Sequence, residues 1–131
     1  MSGTSYLNRR GVDAELFEET YRVLLRYTKR TLSEAKLILL GAFLTHGTAT
    51  DGVQWDEFYK ETALRRAITR RLAAEFSAEF LDLQRLFDEA CEKLPSEHWT
   101  QDGVHPTAAG HRLIANAWEE KMRPTLMAAE K

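Results

Sequence analysis

The spacing of apolar residues changes several times along the chain, and each change predicts a different secondary-structure element. After Asp13, a residue type that often caps helices, apolar residues recur every three or four positions, which predicts a helix ending near Arg30. Ala35 to Gly41 is almost continuously apolar, as in a strand that is covered on both faces of a parallel sheet. His46 to Val53 is rich in turn-forming residues and predicts a loop.

The second half of the chain predicts the same alternation. Helical spacing from Asp56 to Phe76 predicts a long helix, Phe80 to Leu83 predicts a second short strand, and Leu86 to Leu94 predicts another amphipathic helix. After an irregular segment, residues 95–106, a last helix is expected to begin near Thr107.

The predicted order of elements, α-β-α-β-α-α, is that of an α/β layered architecture. Trp118 lies on the apolar face of the last helix and is expected in the core, and Pro124 is expected to end or kink that helix. Two short strands make a sheet too small for four helices, and the composition of Leu37 to Leu40 is that of a central strand. We therefore expect its open edge to be covered by a neighbouring chain or by the rest of a larger domain.

Composition and charge narrow the possible functions without identifying one. The 131 residues are expected to form one domain, residues 1–131, and 18 basic against 20 acidic residues give a formal charge of -2. This balance offers no general attraction to nucleic acid or to anionic membranes, and no apolar run approaches the length of a membrane span. The first residues lack the apolar stretch of a secretory signal, so we expect a cytoplasmic protein. Cys91, the one cysteine, lies in an apolar stripe typical of a buried structural thiol.

Two groups of polar residues have alternative interpretations. Four arginines of the long predicted helix could contact phosphate or nucleic acid, but they are more typical of a solvated face paired with Glu61 or Glu75. These are Arg65, Arg66, Arg70 and Arg71. The histidines lack the spacing of a known zinc signature, so we expect neither a metal nor another cofactor; they are His46, His98, His105 and His111.

A carboxylate and an imidazole three residues apart are candidates for an acid–base pair. Asp102 and His105 lie in a segment whose Gly103 and Pro106 are typical of a turn. A carboxylate this close can accept the imidazole Nδ1 proton, which fixes the tautomer and stabilises the imidazolium formed when Nε2 takes a proton. The alternative interpretation is structural, since Asp-Gly is a common turn, Pro106 and Thr107 can open a helix, and His105 could bond nearby backbone.

The residues around this pair favour the chemical interpretation. Residues 102–111, Asp-Gly-Val-His-Pro-Thr-x-x-Gly-His, closely resemble the last conserved block of the SGNH/GDSL hydrolases. This resemblance implies that Asp102 is the orienting acid and His105 the general base of a catalytic triad. Further similarity follows the family's order over residues 12–27, 37–44 and 80–94. It implies a flavodoxin-like three-layer fold, of which this chain would supply the last two parallel strands with flanking helices.

The nucleophile of this family lies in a Gly-Asp-Ser-Leu block, and the 131 residues contain no such block. Residues 3–7, Gly-Thr-Ser-Tyr-Leu, instead resemble the family's third block, whose Asn donates a hydrogen bond to the oxyanion. Ser5 stands at the position of that Asn, and Tyr6 replaces the Asp that follows it. Loss of one oxyanion donor typically lowers the rate by about 10²–10³.

Two functions are therefore expected as alternatives. The resemblance implies a serine ester hydrolase acting on small acyl esters, such as O-acetyl groups of carbohydrates, which is inactive or weakly active as this chain alone. The alternative is a catalytically silent partial domain that self-associates as a homodimer, because the strand at Leu37 to Leu40 lacks a second partner. A missing N-terminal half would cover the same edge. A nucleic-acid module rests on the arginines alone.

Overall fold

The first helix begins where its sequence supplies a cap. The computed structural model describes residues 12–52 and 54–129, and helix α1 spans Ala14–Thr31. The Asp13 carboxylate accepts a hydrogen bond from the Leu16 N–H at 2.8 Å, which satisfies one of the backbone donors exposed at a helix N-terminus. The helix expected from Asp13 to Arg30 is confirmed.

Two short parallel strands form the sheet. β1 spans Ile38–Leu40, β2 spans Glu79–Leu81, and helix α2, Trp55–Glu75, connects them. Parallel strands need such a crossover, because a tight turn can join only antiparallel neighbours. The apolar run from Ala35 to Gly41 therefore contributes a strand, as predicted, and the backbone hydrogen bonds to β2 extend from the Leu37 carbonyl to the Gly41 N–H.

Three further helices follow β2: α3 spans Leu83–Cys91, α4 spans Ser96–Trp99 and α5 spans Ala108–Ala129. Helix α4 lies within the segment that was expected to be irregular. Pro124 was expected to end or kink the last helix, and the first alternative is wrong, because α5 continues beyond it. Pro124 is exposed, so water can bind the carbonyl that lacks a backbone donor at this position.

The sheet separates two apolar cores. Leu39 and Phe80 are cross-strand neighbours whose face packs against α1 and α2. The buried residues of this core are Leu25, Leu39, Ile68, Leu72 and Ala73. Ile38 and Leu81 lie on the other face, in a core built with α3 and α5 whose buried residues are Leu81, Leu83 and Phe87. The chain is thus an α/β protein with helices on both faces of a small parallel sheet.

Two apolar residues are less covered than the sequence predicted. Leu39 is 6% exposed, but its neighbour Leu40 is 44% exposed, so one face of β1 is only partly covered within the described residues. Trp118 was expected in the core and is 40% exposed. Ile114 and Ala117 contact the second core, whereas Trp118 lies at the margin of that helix face.

The two described ranges, 12–52 and 54–129, contain no helix with the length and apolar character needed to cross a lipid bilayer.

Candidate functional site

The two candidate catalytic side chains are in direct contact. The Nδ1 atom of His105 lies 2.7 Å from Oδ2 of Asp102. The other carboxylate oxygen, Oδ1, accepts hydrogen bonds from the N–H groups of Val104, at 3.0 Å, and of His105, at 2.9 Å. Both oxygens of Asp102 are therefore used, and three hydrogen bonds fix the carboxylate relative to the imidazole.

The imidazole is open to solvent while its carboxylate partner is partly covered. The side chain of His105 is 71% exposed and that of Asp102 is 27% exposed. A group that exchanges protons with a bound substrate needs such access, and its orienting acid does not. The structure therefore fulfils the two geometric conditions of an acid–base pair, which are contact and accessibility.

The carboxyl group of Asp102 is held in its ionised form. Burial raises its pKa, but hydrogen bonds from the Val104 and His105 N–H groups and the nearby His105 ring outweigh burial, so the pKa lies below its usual value. An ionised carboxylate accepts the Nδ1 proton of a neutral imidazole, which leaves the Nε2 lone pair available as a base.

The backbone around this pair forms a closed turn, which we call the acid–base turn, residues 100–106. Thr100 and Pro106 form an isolated antiparallel bridge, and the Gln101 N–H donates to the His105 carbonyl at 2.8 Å. Gly103 has a φ of 110°, a backbone conformation that residues with a Cβ atom rarely adopt. The sequence signal, a glycine between the acid and the base, thus has a direct structural reason.

A second loop, which follows β1, forms backbone hydrogen bonds to the acid–base turn. This β1 loop, residues 42–52, donates two backbone hydrogen bonds, from Thr45 to the Gly103 carbonyl at 2.9 Å and from Ala49 to the Asp102 carbonyl at 2.8 Å. The approach is so close that a Cβ atom on Gly47 would lie 2.3 Å from the carbonyl carbon of Asp102. The two loops therefore pack backbone against backbone.

Helix α5 begins directly after the turn, and its cap is supplied by Thr107. The Thr107 hydroxyl donates to the His98 carbonyl at 2.7 Å and accepts from the Gly110 N–H at 3.2 Å. The indole of Trp99 donates to the Ala90 carbonyl at 3.0 Å and packs in the second core. Thr107 therefore caps the helix, whereas the His105 ring binds the Asp102 carboxylate.

Sequence reasoning missed a second histidine–carboxylate pair. In the β1 loop, Nδ1 of His46 lies 2.6 Å from Oδ1 of Asp51, and the imidazole stacks on Trp55 with ring centroids 3.9 Å apart. A histidine followed by an aspartate five residues later in a turn-rich segment was the available signal. Both side chains are mostly exposed. No group of three or more His, Cys, Asp or Glu residues suited to a metal ion occurs in the described part of the chain.

A cavity of ≈ 300 Å³ lies beside this second pair, and its lining includes His46, Trp55, Tyr59, Asp88 and Cys91. Cys91 is half-buried rather than buried. Burial and, to a lesser extent, the charge of Asp88 raise the pKa of its thiol, which favours the unreactive protonated form.

The four arginines of α2 differ in exposure: Arg70 and Arg71, each with a side chain that is 60% exposed, fit the expected solvated face, whereas Arg65 and Arg66 are less exposed than expected. Arg65 is 1% exposed, so the expectation of a solvated face is wrong for it, although its pairing with Glu61, at 2.7 Å, is confirmed. The buried guanidinium also donates to the Val12 carbonyl at 2.8 Å, just before the start of α1. Glu75, the other expected partner, binds Arg22 instead. The remaining arginines bind polar groups of the chain: Arg66 binds Gln84, Arg70 binds Asp82 and Arg71 binds Glu18.

Residues 3–7, with Ser5 as the expected replacement for an oxyanion donor, lie outside the described residues. Their expected role stays a prediction from the sequence.

Comparison with known proteins agrees with the fold and with the sequence resemblance. The acetylxylan esterase of Geobacillus stearothermophilus is 26% identical over 115 residues, which cover 86% of this chain and 48% of that protein. A crystal structure of an acetylxylan esterase from the same organism superposes with a TM-score of 0.73 at 25% identity, and the match covers 89% of this chain and 50% of that chain. A crystal structure from Parabacteroides merdae, described as that of a GDSL-like lipase, superposes with a TM-score of 0.81 at 31% identity, covering 89% and 53% of the two chains.

The chain thus spans about half the length of these relatives. The family described as the GDSL-like lipase/acylhydrolase family matches residues 3–113, a range that contains both candidate catalytic residues. This chain belongs to the GDSL-like lipase/acylhydrolase family.

Proposed function

We propose that this chain carries the acid–base half of a serine ester hydrolase, with Asp102 as the orienting acid and His105 as the general base. The observation that carries this proposal is the 2.7 Å hydrogen bond between the two side chains, made by an imidazole that is 71% exposed. General acid–base groups in such an arrangement contribute about 10²–10⁴ in rate.

The proposed reaction begins when Nε2 of His105 removes the proton of a serine hydroxyl as its oxygen attacks the ester carbonyl. The Asp102 carboxylate stabilises the resulting imidazolium through Nδ1–H. The imidazolium then gives its proton to the departing alcohol as the carbon–oxygen bond breaks, and an acyl-serine remains. A water molecule repeats the two steps, releases the acid and restores the free hydroxyl and the neutral imidazole.

We propose that the serine lies in the part of the relatives' length that this chain does not span. None of the serines here stands in a Gly-Asp-Ser string; they are Ser2, Ser5, Ser33, Ser77 and Ser96. For the Geobacillus enzyme, the matched structures include catalytic mutants of one histidine and of one serine. His105 is our candidate for the first of these positions. The chain alone would then be inactive or weakly active.

For the substrate, we propose small acyl esters, with O-acetyl groups of carbohydrates as the first class to test. The support is the similarity to an acetylxylan esterase that acts, by its name, on acetylated xylan.

We propose that β1 and β2 are the last two parallel strands of a larger sheet. The 44% exposure of Leu40 and the exposed apolar residues of α1, Val23, Leu24 and Tyr27, support this proposal, since buried strands and helices of a complete layered domain cover such residues.

The same exposed residues favour a second candidate function, a catalytically silent partial domain that self-associates. Two copies could cover the outer face of α1 by packing it across a two-fold axis. The mass of the chain in solution, measured by light scattering, distinguishes the candidates. A well-folded monomer contradicts self-association.

The main test combines the upstream coding sequence with an activity assay. We expect the coding region upstream of Met1 to contain a strand followed by Gly-Asp-Ser, and the protein extended by that region to hydrolyse p-nitrophenyl acetate. His105→Ala in the extended protein should lower kcat by about 10⁴ or more, the scale of loss when a triad base is removed.

His46→Ala is the matched control, because His46 also pairs with a carboxylate and is similarly exposed. It should leave hydrolysis within about threefold of wild type, an effect of less than about 1 kcal/mol on the barrier. Equal hydrolysis by the wild-type extended protein and its His105→Ala variant would refute the assignment of the base.

A further inference from the structure

Three buried threonines meet beneath the acid–base turn. Thr45 and Thr50 belong to the β1 loop, and Thr100 is the first residue of the turn. Their exposures are 5%, 3% and 1%. A buried hydroxyl without a hydrogen-bond partner is unfavourable, so the partners of these groups show what they hold in place.

Two of the hydroxyls form a closed ring of hydrogen bonds with Gly103. The Gly103 N–H donates to the Thr100 hydroxyl at 3.1 Å, the two threonine hydroxyls lie 2.8 Å apart, and the Thr45 hydroxyl donates to the Gly103 carbonyl at 3.1 Å. Since a hydroxyl has one proton, these three contacts agree only if Thr100 donates to Thr45, which is its nearer acceptor; the Ser96 carbonyl lies 3.5 Å away. Each hydroxyl then donates once and accepts once, and both backbone groups of Gly103 are bound.

The third threonine supports the ring from the side of the β1 loop. The Thr50 hydroxyl donates to the Thr45 carbonyl at 2.6 Å, and the Thr45 N–H adds a second hydrogen bond to the Gly103 carbonyl at 2.9 Å. Residues that are 55 positions apart in the chain are joined in this way.

The position of Gly103 decides what the ring can control. Gly103 lies between Asp102, whose carboxylate orients the imidazole, and Val104, whose N–H binds that carboxylate. Rotation of the backbone at Gly103 would therefore move the carboxylate relative to the N–H groups that hold it. A residue in regular secondary structure would resist this rotation through its neighbours, but Gly103 has a φ of 110° and no side chain.

We propose that Thr45 and Thr100 are positioning residues of the acid–base pair, whose hydroxyl ring clamps Gly103 and thereby sets the hydrogen bonds of the Asp102 carboxylate. The catalytic consequence of this clamp rests on the proposed function, whereas its structural part does not. Hydrogen bonds arranged in a ring polarise one another, so loss of either hydroxyl should open the whole ring.

The first test replaces each hydroxyl by a methyl group of similar size, in Thr45→Val and Thr100→Val. NMR of the chain would follow two signals, the titration of the Asp102 carboxyl carbon and the fraction of His105 in the Nδ1–H tautomer. We expect both variants to raise the pKa of Asp102 towards its usual value and to lower the Nδ1–H fraction, because the hydrogen bonds that favour the ionised carboxylate become longer.

Thr69→Val is the matched control. Thr69 is 2% exposed, and its hydroxyl donates to the Arg65 carbonyl within α2, away from the turn. It should leave both NMR signals unchanged. Thr100→Ser keeps the hydroxyl and should restore wild-type signals. If one valine variant does not fold, the other breaks the same ring and gives the same test.

The double variant Thr45→Val with Thr100→Val separates a ring from two independent contacts. A ring opened by either change predicts that the double variant shifts the Asp102 titration about as far as one single variant does. The proposal is overturned if the single valine variants match Thr69→Val in both signals, or if Thr100→Ser fails to restore them.

Activity of the extended protein provides the second test. Displacement of a catalytic group by about 1 Å can cost about 10² in rate, so we expect Thr100→Val to lower kcat by about 10–100-fold with little change in KM. A change in the NMR signals without any effect of His105→Ala on hydrolysis would support the clamp and refute the proposed function. A loss of hydrolysis in His105→Ala without any NMR change in the valine variants would support the proposed function and refute the clamp.

Discussion

Replacement of Gly103 by alanine should be the most destabilising small change in the acid–base turn, for two separable reasons. Its φ of 110° is a conformation that disfavours a Cβ atom, and such strain costs about 1–3 kcal/mol. The new Cβ atom would also lie 2.5 Å from the Thr50 hydroxyl and 2.6 Å from the Thr45 carbonyl oxygen. The carbonyl belongs to backbone and cannot rotate away, so crowding adds about 1–3 kcal/mol. The expected total is about 2–6 kcal/mol.

Two other glycines separate these contributions. Gly52 has a φ of 127°, and an added Cβ atom would meet nothing within 4 Å in the described part of the chain, so Gly52→Ala should show the conformational cost alone. Gly47 has no positive φ, but its Cβ atom would meet the Asp102 backbone at 2.3 Å, so Gly47→Ala should show the crowding alone.

Urea unfolding of the three variants, with the slopes compared as a check on two-state behaviour, measures each loss of free energy of unfolding. We expect Gly103→Ala to lose more than Gly52→Ala by at least about 1 kcal/mol. If the losses for Gly103→Ala and Gly52→Ala agree within about 0.5 kcal/mol, the β1 loop moves to accommodate the added Cβ atom. The close packing of the two loops would then be refuted.

Two further predictions concern single polar groups. Thr62 is 4% exposed and, among the described residues, its hydroxyl has no hydrogen-bond partner, so Thr62→Val should raise the free energy of unfolding by about 1–2 kcal/mol; an unchanged urea midpoint would contradict this. The folded-state pKa of Asp102 is lowered, so its contribution to stability is present above the unfolded-state pKa and is lost as the pH falls through the folded-state pKa. Asp102→Asn should therefore unfold with a weaker pH dependence below about pH 4, and parallel stability curves for variant and wild type would refute the shift.

Local patterns in the sequence predicted the parts of the structure that depend on local interactions. The cap at Asp13, the helix that follows it and the alternation of strands and helices all arise from spacing within one segment. The three-residue spacing of Asp102 and His105 allowed their pairing but left a structural alternative open, and it was the resemblance of residues 102–111 to a family block that favoured the acid–base pair.

The remaining features depend on contacts between distant segments, which spacing does not encode. Arg65 has the sequence pattern of a solvated arginine, but it is buried and donates to the Val12 carbonyl, which lies 53 positions away in the sequence. The threonine ring joins Thr45 to Thr100, which are 55 positions apart, so no pattern within one segment of the sequence indicates the contact. Trp118 has the spacing of a core residue but is 40% exposed, whereas Ile114 and Ala117 of the same helix pack against the second core.

The packing of the β1 loop against the acid–base turn has a consequence for how a complete catalytic centre would be assembled. Every anchor of the imidazole described above, from the backbone bonds of Thr45 and Ala49 to the cap at Thr107, comes from the described residues of this chain. If another segment supplied the serine hydroxyl, that hydroxyl would meet a His105 imidazole whose orientation is already fixed. The conformational entropy lost in ordering that imidazole would then belong to the folding of this chain and not to the binding of the segment that carries the hydroxyl.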